Sequence, residues 1–339
     1  MRSALFLCSL ALFTLFFFSS CGGEDPAQNT LTVYCYDSFA SDWGPGPVVI
    51  PAFEEQTGIK VELVATGDAG QALAKVILEK SNPKGDIILG IDNNMLPQAL
   101  EAGVLEAYKP KNAALLPEEL VFDPGFHLTP YDYGNFAIIY DSEKVTDVPR
   151  SLEELVEKSQ DDSIILMDPR TSSPGFGFLL WTVQAYGDAY LDYWKRLAPK
   201  LLTVTEGWDS GYGLFTNGEA PMVLSYTTSP AYHKEYEDTD RYRAMIFDDG
   251  NYGQIEGLGI IKGAKHKKAA RLFIDFVLSE TFQKEIPLTN WMYPVLPNTA
   301  LPESYELAPK PSQTLLLDEQ LIQEKRTQWI KDWTDVMTE

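Results

Sequence analysis

LTVYCYDSFASDWGPGPVVIPAFEEQTGIKVELVA, residues 31–65, opens with alternation. Val33 and Cys35 interleave with Tyr34 and Tyr36, the period of a half-buried strand. Asp37, Phe39, Asp42 and Trp43 follow on a loop closed by Gly44, Pro45, Gly46 and Pro47. A helix is expected from about Val48, with Pro51 near its first turn, and the stretch IKVELVA (59–65) returns to a strand. The rhythm continues through a helix (70–80), the strand DIILG (86–90) and a helix (94–104). GNFAIIYD (134–141) is apolar and extended. Helix and strand then alternate again from 151 to 227. A further strand lies near QIEGLGIIKGA (254–264), then an amphipathic helix from Lys267 to about Glu285, and a last helix over 324–336.

Such alternation predicts an α/β fold with a mostly parallel sheet and helices on both faces. Two lobes are expected: 31–130 with 250–297, and 134–246. Extended segments near 131–137 and 246–258 would cross between them, and a C-terminal segment, 298–339, would pack on both. Open α/β sheets bind ligands beyond the C-terminal ends of their strands, so facing lobes create a cleft.

The ends narrow the setting. Arg2 and the apolar run from Ala4 to Phe18 predict a signal peptide over 1–20, because the run is shorter than the roughly 20 residues a membrane helix needs. FSSC, followed by Gly22 and Gly23, resembles a bacterial lipoprotein processing site that lipidates Cys21. Residues 21–30 read as a tether. Cys35 is then the last free thiol, so no disulfide framework or cysteine metal site is expected within the chain. A formal charge of −22 argues against nucleic acid as a partner. There is no P-loop, dinucleotide glycine fingerprint, HExxH or nucleophile elbow. The three histidines, His127, His233 and His266, carry no metal spacing.

Four segments at strand ends and helix starts share a chemistry. The first is the loop with Tyr36 and Trp43. The second, ATGDAG (65–70), sets Asp68 between glycines; a turn or N-cap aspartate is the commoner role there. In the third, MDPRTSSPGFG (167–177), Ser172 and Ser173 precede a helix start, where free N–H groups favour an anion, although plain capping is commoner. The fourth is aromatic: Trp208, Tyr226, Tyr232, Trp291 and Tyr293, each in a polar or Pro/Gly-bounded context. Aromatic faces beside carboxylates suit a flat cationic ligand.

YDSFASDWGPGPVV (36–49), LGIDNNML (89–96), PYDYGNFAIIYD (130–141), DPRTSSPGFGFLLW (168–181), SYTTSPAYH (225–233) and IPLTNWMYPV (286–295) resemble the thiamine-binding periplasmic proteins of bacterial ABC importers. The resemblance runs in order from about Leu31 to Pro297. It implies a type II periplasmic-binding-protein fold that closes on thiamine, thiamine monophosphate or thiamine diphosphate. The chain would deliver them, without catalysis or cofactor, to an inner-membrane ABC permease. By motif, Trp43 and Tyr232 resemble the pair that stacks on the ligand's rings. Asp68 resembles the acceptor for the pyrimidine's exocyclic amine. Ser172, Trp208, Tyr226 and Tyr36, helped by the helix start at Ser173, resemble the group around the hydroxyethyl or phosphate end, with Trp291 at the rim.

Two alternatives share this fold. A thiaminase-like enzyme needs a cleft thiol, and Cys35 alternates with Tyr36, so it should point into the core if Tyr36 faces the cleft. A ferric-iron protein of this fold uses an adjacent tyrosine pair, whereas Tyr226 and Tyr232 are six residues apart.

Overall fold

In the structure, a computed structural model that describes residues 30–338, the opening strand β1 spans Thr30–Cys35. The expected signal peptide, Cys21 and nearly all of the tether lie outside the described residues. The alternation of β1 is real packing. Leu31, Val33 and Cys35 join a buried cluster with Val49, Phe53 and Phe273, while Tyr34 joins another with Leu73, Val76 and Leu96. Successive side chains of a pleated strand face opposite sides, so one short sequence serves two layers of helices.

The remaining strands are β2 Lys60–Ala65, β3 Ile87–Asp92, β4 Leu105–Glu106, β5 Thr129–Asp141, β6 Ile164–Met167, β7 Leu201–Thr205 and β8 Met222–Tyr226. They are followed by β9 Tyr242–Ala244, β10 Asn251–Ile261, β11 Tyr293–Pro294 and β12 Thr314–Leu315. The main order is β2-β1-β3-β10-β5-β8-β6-β7. β1 is parallel to β2 and β3, and β6 to β7 and β8. β10 and β5 join these groups by antiparallel pairing, so the sheet is mixed. The first half of β5 pairs with β10, from Leu258↔Thr129 to Gly253↔Asn135. Its second half pairs with β8, from Phe136↔Tyr226 to Tyr140↔Met222. Most of the two extended segments, 131–137 and 246–258, thus falls in the long central strands β5 and β10, with β10 beginning only at Asn251.

The group at β6 to β8 has its own core around Phe136, Leu166, Trp181, Trp194 and Leu224. The helix Glu319–Thr338 buries Ile322, Trp329 and Trp333 there, with Trp333 set edge-on to Trp194 at 5.7 Å. It also packs on the helix Leu96–Ala102. No helix among the described residues is long and apolar enough to cross a membrane.

Local boundaries differ where capping outweighs periodicity. The helix expected from Val48 starts at Gly46, since Pro47 fits a first turn where its missing N–H is not needed. The helix expected over 267–285 breaks into Lys267–Val277 and Glu280–Gln283, and a further short helix, Ile286–Thr289, follows. Ser279 is extended there, and its hydroxyl caps the Phe282 N–H. Asp37–Ala40 forms a single helical turn inside the expected loop.

Candidate functional site

Three helix starts meet at Asp68. It is the N-cap of the helix Ala69–Leu78, in a capping box with Gln71. Its Oδ1 accepts the Ala69 N–H at 2.6 Å and its Oδ2 the Trp208 N–H at 3.0 Å. The Ser172 hydroxyl and the Ser173 N–H also bond to it. Trp208 and Ser173 open the helices Trp208–Thr216 and Ser173–Tyr186, so the carboxylate lies where three positive helix ends converge. Burial pushes its pKa up, while these donors pull it down. Asp37 secures the turn before it, exchanging bonds with the Gly67 backbone.

Nearby, the cleft floor is polar. Tyr36 Oη lies 3.1 Å from Tyr131 Oη, and its one hydrogen has two acceptors in reach, Glu256 Oε2 at 3.2 Å and Asn290 Oδ1 at 3.1 Å. Asn290 in turn donates to Asp132 Oδ2 at 2.5 Å. Tyr36 can lie here because residue 90 is glycine. Gly90 has φ +97°, and a Cβ on it would sit 2.2 Å from the tyrosine ring.

Aromatic rings form the walls. Trp208 stacks on Tyr212 at 4.8 Å and donates its indole N–H to Ser225 Oγ at 2.8 Å. Trp43 reaches across to Trp208, 6.3 Å between centroids, and is 48% exposed. Gly44 behind it packs so close to the Ser38 carbonyl that a Cβ would fall 1.9 Å from it. Tyr232 meets Trp291 edge-on at 5.4 Å. Trp291 holds φ +57°, unusual for a large residue, and its carbonyl accepts the Thr228 hydroxyl.

Together they enclose a cleft of about 590 Å³, a volume usual for small-molecule sites. Tyr36, Trp43, Asp68, Ser173, Trp208, Tyr226, Tyr232 and Trp291 all line it. Ser172 does not. It is fully buried, and as the helix N-cap its hydroxyl is spent on Asp68 and the Gly175 N–H. The lining carries the carboxyl groups of Asp37, Asp68, Glu206, Asp209 and Glu256, and no lysine, arginine or histidine among the described residues.

Residues 46–284 match the family model of the bacterial extracellular solute-binding proteins. The chain belongs to that family. It is 43% identical to the thiamine-binding periplasmic protein of Brucella suis over 96% of this chain and 98% of that one. It is 44% identical to the thiamine-binding periplasmic protein of Escherichia coli over 91% and 93%. A solved periplasmic thiamin binding protein superposes with a TM-score of 0.85 at 43% identity, covering 91% of this chain and 96% of that one. The fold is the type II periplasmic-binding-protein fold.

The cleft of this solute-binding protein also contains groups that sequence reading passed over. Glu256, Asn290, Tyr212 and Ser229 line it, and Asp132 lies beneath. Two left a visible signal. Glu256 and Asp132 are acids inside extended runs made mostly of apolar and aromatic residues, a placement that demands buried partners.

Proposed function

We propose that this solute-binding protein captures thiamine and its phosphate esters outside the cytoplasm and passes them, chemically unaltered, to an ABC permease. The carrying observation is the lining: aromatic faces with five carboxyl groups and no basic side chain. That combination fits a flat cation through stacking and charge. The names of the relatives point to the same ligand. Lobes of 31–130 with 250–297 and of 134–246 would close on it, with 298–339 packed on both, and lipid on Cys21 would tether the chain.

Trp43 and Tyr232 are assigned to stacking, Trp291 to the rim. Tyr36, Trp208, Tyr226 and the helix start at Ser173 are assigned to the hydroxyethyl or phosphate end, with Ser172 acting from behind through Asp68. A carboxylate offers about four acceptor positions, and four donors already approach Asp68. A bond from the pyrimidine amine to Asp68 would therefore displace one of them.

A binder is favoured over a thiaminase-like enzyme by Cys35. The thiol is fully buried in the β1 core and burial pushes it up to about 12, where little thiolate forms at neutral pH. The ferric reading calls for an adjacent tyrosine pair, and Tyr226 and Tyr232 are six residues apart. Calorimetry of the purified mature chain with thiamine, its monophosphate and its diphosphate tests the proposal. One-to-one binding with a change in tryptophan fluorescence is expected. No heat and no fluorescence change at micromolar thiamine would refute it.

A further inference from the structure

β5 and β10 bring two carboxyl groups face to face. Asp132 and Glu256 are register partners across the central strands, and they are 0% and 6% exposed. Glu256 borders the cleft and Asp132 lies behind it. Their surroundings differ. Glu256 accepts Tyr131 Oη at 2.5 Å, Tyr36 Oη at 3.2 Å and Gln254 Nε2 at 3.2 Å. Asp132 accepts only Asn290 Nδ2, on Oδ2, and its buried Oδ1 receives no donor.

A buried carboxylate oxygen without a donor bears its desolvation cost in full, whereas the neutral acid bears little of it. Two such groups side by side also repel if both ionise. The charge therefore falls on Glu256, and Asp132 stays a neutral acid, its pKa driven well upward by burial and by Glu256. Asp92 on β3 and Asp68 also act on Glu256, both repelling, and Glu256 in turn acts on Tyr226 of β8. No lysine, arginine or histidine lines the cleft among the described residues to neutralise it. When ionised, Glu256 is a charge lacking a cationic partner in the cleft lining, at the floor of an aromatic-walled site.

We propose that Glu256 is the counter-charge that selects a cationic over a neutral ligand in this cleft, and that the arriving cation displaces a proton from it. The inference rests on the thiamine reading, whose thiazolium ring carries a fixed positive charge. The exchange balances simply: the protonated carboxyl group loses its proton to solvent, the carboxylate pairs with the cation, and no bond in the ligand changes. Burial, with Asp92 and Asp68 adding to it and the Tyr131 bond opposing, raises the free group to about 7. Affinity for thiamine is therefore full above that pH and falls below it, where a proton must leave before the cation can pair.

Two measurements test this. The first is calorimetry of the unmodified chain with thiamine in two buffers of different ionisation enthalpy. It should show proton release at a pH of about 6 that vanishes at about 8.5. The second compares thiamine with 3-deazathiamine, the isostere without the ring charge. Glu256→Gln should weaken thiamine about tenfold to a hundredfold at a pH of about 8, while the neutral isostere changes less than about twofold. Absence of proton release from the unmodified chain at the lower pH, or equal losses for both compounds, overturns the inference. An unmodified chain that binds neither compound would sink the thiamine reading itself.

Discussion

Asp68 and Glu256 face the same cleft from opposite kinds of support. The donors to Asp68 are backbone N–H groups at helix starts and the hydroxyl of a helix N-cap. Those to Glu256 are two phenols and a side-chain amide. Backbone donors are held by whole helices and cannot turn away without moving them. Phenol and amide hydrogens are held only by side-chain torsions, so they can be re-aimed without moving a helix. Asp68 accordingly ties the helix that follows β2 to the helices that follow β6 and β7, and its charge is largely consumed by the architecture. Glu256, once ionised, carries a charge that no lysine, arginine or histidine of the cleft lining pairs.

Asp68→Asn is the substitution that breaks this comparison most severely. It removes acceptor capacity at three helix starts and turns an amide N–H₂ toward backbone donors. A stability loss of about 2–3 kcal/mol is expected, read as a lower urea midpoint with unchanged slope. A change below about 0.5 kcal/mol would show that Asp68 is not a structural junction. The walls come next. Trp43→Ala and Tyr232→Ala should each weaken thiamine by about 1–3 kcal/mol without altering the urea midpoint much, because both rings line the cleft and neither is fully buried in a core. Tyr232→Phe should keep most of the affinity, since stacking needs the ring more than the hydroxyl. Unchanged dissociation constants for both alanine variants would make these rings structural. The smallest effect belongs to Cys35. Cys35→Ala should leave thiamine affinity within about 0.5 kcal/mol, and iodoacetamide should not label the folded chain. Rapid labelling, or loss of binding, would place the thiol in the cleft after all.

Much of this architecture is local and so is legible in the chain. The stretch 31–65 carries a period-two strand, a proline-started helix and a second strand, and each is decided by neighbours in sequence. Helix breaks such as that at Ser279 were harder to read, because one capping bond outweighs an apolar stripe that continues past it. The aromatic walls were also legible, since large rings in Pro/Gly-bounded loops have no helical stripe to join. Asp68 fits its commoner reading, an N-cap, yet a single chain segment cannot reveal that two further helices share it.

By itself, the sequence determined the alternating fold class, the aromatic and acidic character of the cleft, and the burial of Cys35 opposite Tyr36. Those features follow from residue type and short-range period. Tertiary structure alone decided which polar groups meet: Tyr36 over Gly90, Ser172 behind Asp68, and Glu256 beside Asp132. Glu256 and Asp132 are 124 positions apart in the numbering, and only the antiparallel register of β5 and β10 sets them opposite one another. The ionisation of a buried acid depends on how many donors surround it in space, and no spacing along the chain encodes that number.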